Sequence, residues 1–155
     1  MRKPGSGRLK SWCLVVWLLT GSASVFAQLP AMGECPQPRF TGKAPEDMYG
    51  LANPLSATAE RIAAGKRSYD KDASPPCQVC HGINGDGKGR MATQFDPRPR
   101  NFRCAQTVNG IPDGQLFWII RNGSPGTSMP AFKPLSDEQI WQVVLYLRDL
   151  AQPRR

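Results

Sequence analysis

The sequence holds a single histidine, His81, in 155 residues, so no site that requires two imidazoles can be built within this chain. No apolar run reaches the ~20 residues of a membrane-spanning helix. The run from Trp12 to Leu19 is about half that length, and Gly21, Ser22 and Ser24 dilute the stretch after it. No lipobox-like residues precede Cys13 or Cys35, so a lipoprotein anchor is not expected. No basic helix is interleaved with aromatics, which argues against nucleic acid as a partner. Gly85, Gly87 and Gly89 have neither a strand before them nor a Lys-Ser/Thr pair after them, so they are read as a flexible flanking loop and not as a phosphate-binding loop. Asn84 and Asp86 supply too few oxygens for a calcium loop. No acid, base or nucleophile constellation marks a catalytic centre, so the chain does not read as an enzyme.

The N-terminus does carry a pattern. Arg2, Lys3, Arg8 and Lys10 precede the apolar run, and small residues lead to Val25-Phe26-Ala27. This is the layout of a secretory signal peptide over residues 1–27, cleaved after about Ala27. An uncleaved leader would instead anchor the protein in the membrane. Cleavage removes four of the 20 basic residues and no acidic one, so 16 remain against 12 and a formal +8 becomes +4. That balance suits an exported protein with a mildly basic face. Cys13 leaves with the leader, and Cys35, Cys77, Cys80 and Cys104 remain. In an oxidising compartment an even count suggests a partner for each thiol. If Cys77 and Cys80 are used together, Cys35 and Cys104 remain for each other.

Residues 28–55 carry Pro30, Pro36, Pro38, Pro45 and Pro54 with little periodicity and read as an irregular extension. From Ser56 the pattern turns helical, with Thr58 as N-cap, Glu60 in the first turn, and Ile62, Ala63 and Tyr69 able to share a face. Gly65 inside that helix costs about 1 kcal/mol relative to Ala, which points to close packing against another element. Residues 74–111 are rich in Pro and Gly and hold no convincing strand. A short helix is predicted from about Pro112 to Asn122, stopped by Gly123. Ser136 to Gln139 make a capping box with Leu135 and Ile140 as its hydrophobic staple. A stripe of Ile140, Val143, Val144, Leu147 and Leu150 comes next, before Pro153. The fold class is therefore all-α, with helices joined by long loops. Such loops, in a domain too small to bury much surface, imply that something they enclose orders them.

The sole histidine lies in "SPPCQVCHGINGDGKG". Two thiols separated by two residues can add across the two vinyl groups of one porphyrin, and the histidine after the second is then held under the iron. Two other readings compete. A structural zinc site needs four ligands, which Cys77, Cys80, His81 and Cys104 could supply, although the second pair lacks its usual short spacing. A redox dithiol needs a βαβ setting, and no strand pattern surrounds residues 70–90. If the site is haem, its second axial position cannot be histidine. Of Met32, Met48, Met91 and Met129, the first two lie in the extension, and Met91 comes too soon after His81 to reach the other face. Met129 stands in "GSPGTSMPAFKP", outside any apolar stripe and between two predicted helices, and is the expected sixth ligand.

Together "CQVCHGINGDGKG", "LFWIIRNGSPGTSMPAF" and "LSDEQIWQVVLYLRDL", over roughly residues 57–151, resemble a class I c-type cytochrome. The resemblance implies a cytochrome c-like fold of a few helices around one covalent haem c, with the N- and C-terminal helices crossing. It implies thioethers from Cys77 and Cys80, His81 and Met129 as axial iron ligands, and a glycine–aromatic pair at the crossing, Gly65 and Tyr69 meeting Val143 and Tyr146. The domain then spans residues 56–152. The extension and the other two cysteines are not required by that core, and a Cys35–Cys104 disulfide pinning the extension across the domain is expected.

The function implied is one-electron transfer by a mono-haem periplasmic carrier. Its donor and acceptor are redox proteins such as a dehydrogenase, oxidase or respiratory complex, and it meets the membrane only through them. The alternatives are a haem c subunit of a larger oxidoreductase and, further off, a haem protein that binds small ligands. Lys88, Arg90, Arg98, Arg100 and Arg103 form either a solvated basic face, or a set in which one arginine meets a haem propionate and the rest steer an acidic partner. A carbonyl of Pro97 or Pro99 is the expected acceptor for the second ring nitrogen of His81.

Overall fold

The computed structural model describes Met1, residues 33–37 and residues 41–153. The expected leader, apart from Met1, and also Met32 and Pro38 lie outside the described residues. Every regular element among the described residues is helical, as the sequence pattern requires. Three helices of two turns or more are α2 (Ala59–Arg67), α5 (Asp113–Asn122) and α6 (Asp137–Leu150). Single turns form α1 (Glu46–Tyr49), α3 (Gln78–His81) and α4 (Ala105–Val108).

Helix α2 starts where Thr58 Oγ1 accepts from Arg61 N at 3.3 Å, and it runs on into a wider π-helical turn at Ser68–Asp72. Helix α6 is set by the reciprocal cap expected for it. Gln139 N donates to Ser136 Oγ at 3.2 Å, and Ser136 N donates to Gln139 Oε1 at 2.9 Å. Such a box satisfies two of the amide donors that a helix start leaves unpaired. Its stripe is buried, with Ile140 and Val144 fully out of solvent. Helices α2 and α6 cross at Gly65, where a Cβ would lie 1.9 Å from the Gln142 carbonyl oxygen. Tyr69 meets Tyr146 edge to face at 5.4 Å beside this crossing. Helix α5 closes the core from another side, its Phe117 stacked on Trp141 of α6 at 4.3 Å.

Arg148 joins three elements. Its Nε donates to Asp113 Oδ1 at 2.8 Å and its Nη1 to the Val108 carbonyl at 2.6 Å, while Nη2 reaches Ile111 O. About a quarter of each charged side chain is exposed, so the pair is partly screened. Truncation would still remove the charged donor from a carboxylate and two carbonyls. Among the described residues the Ile111 carbonyl and Asp113 Oδ1 have no other donor, while the Val108 carbonyl keeps Ile111 N. Arg148→Ala is expected to cost about 2–3 kcal/mol in urea unfolding, and a loss under ~0.5 kcal/mol would refute a structural role.

The extension is less irregular than its prolines imply. Its described residues, 33–37 and 41–55, form a strap that lies on the domain, tied by the Cys35–Cys104 disulfide, whose Cα atoms are 5.4 Å apart. Two buried glutamines clamp it. Gln37 bonds the 99–107 region, and Gln115 of α5 accepts from Ala44 N at 2.7 Å while donating to Gly42 O at 2.9 Å. Farther on, Asn53 Nδ2 donates to the Trp141 carbonyl at 2.9 Å.

Candidate cofactor site

The pentapeptide coils into one turn. Cys80 N and His81 N both donate to the Cys77 carbonyl, at 3.2 and 2.9 Å, so the two thiols and the imidazole are brought together. Gly82, at φ 86°, turns the chain out of α3, and its carbonyl accepts from the buried Tyr69 hydroxyl at 2.7 Å. The glycine-rich segment after it is not a loose flank. It folds back over α3, with Gly87 N, Gly89 N and Met91 N donating to the carbonyls of His81, Cys80 and Val79 at 2.8, 3.1 and 3.1 Å.

His81 is 9% exposed. Its Nδ1 lies 3.0 Å from the Arg100 carbonyl. A carbonyl only accepts, so Nδ1 carries a proton, and in the neutral imidazole the lone pair is then on Nε2. The expected acceptor, Pro97 or Pro99, is thereby corrected to Arg100. The Pro99 carbonyl is engaged instead by Gln37 Nε2 at 3.2 Å. Phe102 stacks on the imidazole at 4.5 Å with 24° between planes, which restricts rotation of the ring.

Met129 sits in the loop between α5 and α6. Its amide donates to Thr127 Oγ1 at 3.2 Å and its carbonyl accepts from Ser124 N at 3.2 Å, so the loop's backbone is fixed around it. A cavity of ≈ 540 Å³ is bordered by both His81 and Met129, with Phe102, Leu116, Ile120 and Leu147 among its apolar walls. A smaller one of ≈ 70 Å³ is bordered by His81 and Met129 again, and by Cys77 and Cys80. All four sequence-predicted ligand residues thus border the smaller cavity, and His81 and Met129 border both. Met48 and Met91 line neither cavity.

The thiols are held in their protonated form by burial. Burial pushes Cys77 up to about 12, with Cys80 and Asp70 adding to the rise, and burial also raises Cys80. Cys104 is committed to its disulfide, so the four-ligand zinc set cannot assemble. No cluster of three His, Cys, Asp or Glu fit for a metal occurs among the described residues. The larger cavity falls within the roughly 300–1,000 Å³ of cofactor sites. Two neutral thiols, an imidazole with an oriented lone pair, a thioether and apolar walls suit a covalently attached haem.

The cytochrome c family model matches residues 62–151. The chain belongs to the cytochrome c family. As a c-type cytochrome it is expected to bind haem c covalently through the family's attachment chemistry, and its all-α fold is the family's. Among solved structures, this cytochrome is similar to a chain of the Kuenenia stuttgartiensis reducing HAO-like protein complex Kustc0457/Kustc0458, at 32% identity and TM-score 0.56. That match covers 67% of the cytochrome but 49% of the other chain, so the cytochrome spans about half of its relative's length. It is also similar to the c-type cytochrome SorU from Sinorhizobium meliloti, at 20% identity and TM-score 0.44, over 61% of the cytochrome and 94% of SorU. No curated protein matches the cytochrome.

Three residues of the site escape a reading of the sequence. Phe102 stands in an irregular stretch without periodicity, and Gln37 in a proline-rich one. Gln115 carries a faint signal, a polar residue directly before the apolar run Leu116–Ile120 of α5. In sequence Arg100 is only one of a basic run, yet it is 7% exposed while Lys88, Arg90 and Arg103 face solvent.

Proposed function

We propose that the chain is a class I, mono-haem cytochrome that carries single electrons between redox partners, with thioethers at Cys77 and Cys80 and axial ligands His81 and Met129. The observation that supports this most is that His81 and Met129 border the same small cavity as Cys77 and Cys80, and also border the larger one. Haem c supplies a one-electron iron couple, whose potential His/Met ligation raises. The residues around it do the rest. The Arg100 carbonyl and the Phe102 face hold the His81 ring in one tautomer and one plane. The Ser124 and Thr127 bonds hold the Met129 loop. Leu116, Ile120 and Leu147 exclude water, which keeps reorganisation during transfer small.

The same reading divides the chain into a leader over residues 1–27 cleaved on export to the periplasm, an extension over 28–55, and the haem domain over 56–152. Lys88, Arg90 and Arg103 offer a basic face to an acidic partner. Intact mass should show a single haem added and neither Cys77 nor Cys80 open to alkylation. Met129→Ala should abolish the long-wavelength charge-transfer absorption of the oxidised iron–thioether bond, lower the potential, and admit carbon monoxide to the reduced protein. Wild-type protein that lacks this absorption and binds carbon monoxide rapidly would sink the carrier reading.

A second reading is a haem subunit of an oxidoreductase complex. It is favoured by the 32% identity to a chain of a protein complex and by the strap, which adds surface beyond the minimal domain. Co-purification with a dehydrogenase or oxidase at moderate salt separates the two readings.

A further inference from the structure

We propose that Gln37, on the N-terminal strap, is a positioning residue that acts on the His81 ring through the peptide joining Arg100 and Asn101. The inference rests on His81 being the iron ligand. The Gln37 side chain brackets Arg100 from both sides. Its Oε1 accepts from Asn101 N at 2.7 Å, and its Nε2 donates to the Pro99 carbonyl at 3.2 Å. The Gln37 backbone is held as well, its N donating to Thr107 Oγ1 at 3.1 Å and its carbonyl accepting from Arg100 Nη1 at 3.2 Å. Gln37 is 5% exposed, so bulk water does not compete for these bonds.

The Asn101 N–H and the Arg100 C=O are the two ends of one planar peptide unit, and a trans amide sends them in opposite directions. One end meets Gln37 Oε1 and the other meets His81 Nδ1. The three groups therefore form a hydrogen-bonded chain, and each bond in such a chain polarises the next. An amide whose N–H is engaged has a more electron-rich carbonyl. That carbonyl draws harder on the Nδ1 proton and makes Nε2 a stronger donor to a metal. A stronger donor favours the oxidised metal, so the chain lowers the potential. The disulfide keeps the two sides in register, since Cys35 is two residues before Gln37 and Cys104 three after Asn101.

Proton NMR of the reduced holoprotein and a redox titration would test this on wild type, Gln37→Met and Gln37→Glu. Methionine keeps the bulk and removes the acceptor, whereas glutamate keeps the acceptor and strengthens it. In Gln37→Met the His81 Nδ1 proton should move upfield and exchange at least tenfold faster. The oxidised-to-reduced ratio at fixed potential should fall about threefold, a rise of ~28 mV at 59 mV per tenfold for one electron. Gln37→Glu should move both quantities the other way. A strap that merely shields the site would, once loosened, admit water and lower the potential of Gln37→Met. That result, or a Nδ1 proton unmoved in both variants, overturns the proposal. If Gln37→Met does not fold, an unshifted or upfield proton in Gln37→Glu overturns it alone. Wild-type His81 ring protons without the large ring-current shift of an axial ligand would overturn the ligand assignment and the relay with it. That failure is recognisable before any variant is made.

Discussion

Gly65→Ala is expected to destabilise the protein by about 3 kcal/mol or more, although alanine is the better helix former. Propensity alone would add ~1 kcal/mol of stability. The sign is reversed by the crossing, where the new Cβ would stand 1.9 Å from the Gln142 carbonyl oxygen and 3.0 Å from Val143 N. Both are backbone atoms of α6, and no rotamer change can clear them, so the two helices must separate. Separation opens the contact of Tyr69 with Tyr146 and loosens the residues that hold α3, because the Tyr69 hydroxyl caps the Gly82 carbonyl. At roughly 4–8 °C per kcal/mol for a domain of this size, the melting temperature should fall by roughly 12–24 °C. A variant that melts within a few degrees of wild type would show that the helices do not meet as closely as described.

Removing the disulfide should have an effect of similar size for a different reason. Cys35 and Cys104 are separated by 69 residues, and releasing a loop of that length returns chain entropy to the unfolded state worth about 4 kcal/mol. The variant carrying Cys35→Ser and Cys104→Ser should therefore show a lower urea midpoint. Its steeper denaturant dependence would report an unfolded chain that exposes more surface. Proteolysis within residues 33–53 should also quicken, since the strap keeps only its hydrogen bonds. If the midpoint stays within the range of a surface substitution, the strap is held by Gln37 and Gln115 and the disulfide is incidental.

The parts legible in the sequence are those that obey a local rule. The capping box at Ser136, the Thr58 cap and the α6 stripe are set by neighbours three or four residues apart, and each is present as expected. The thiol and histidine spacing is likewise local, and one turn of helix suffices to gather it. The strap is legible only as proline-rich chain. It is ordered by bonds between residues 59 to 88 positions apart, such as Thr41 to Arg100 and Asn53 to Trp141, and no local pattern announces them. The Arg100 carbonyl that meets His81 has the same source, because Gln37 holds the peptide on either side of Arg100. The π-helical turn after α2 is also silent in sequence, since Ser68 to Asp72 continue an ordinary helical composition.

The wide sequence separations of the strap also order events in time. Thr107, Gln115 and Trp141 lie far along the chain from Gln37, Ala44 and Asn53, so the strap has nothing to dock on until α5 and α6 have formed. Closing so long a segment costs more loop entropy than forming the local helices, and such contacts come late in folding. Gln37, Thr41 and Tyr49 form one wall of the larger cavity. That wall is therefore the last to be raised, and residues made early in synthesis complete the site last.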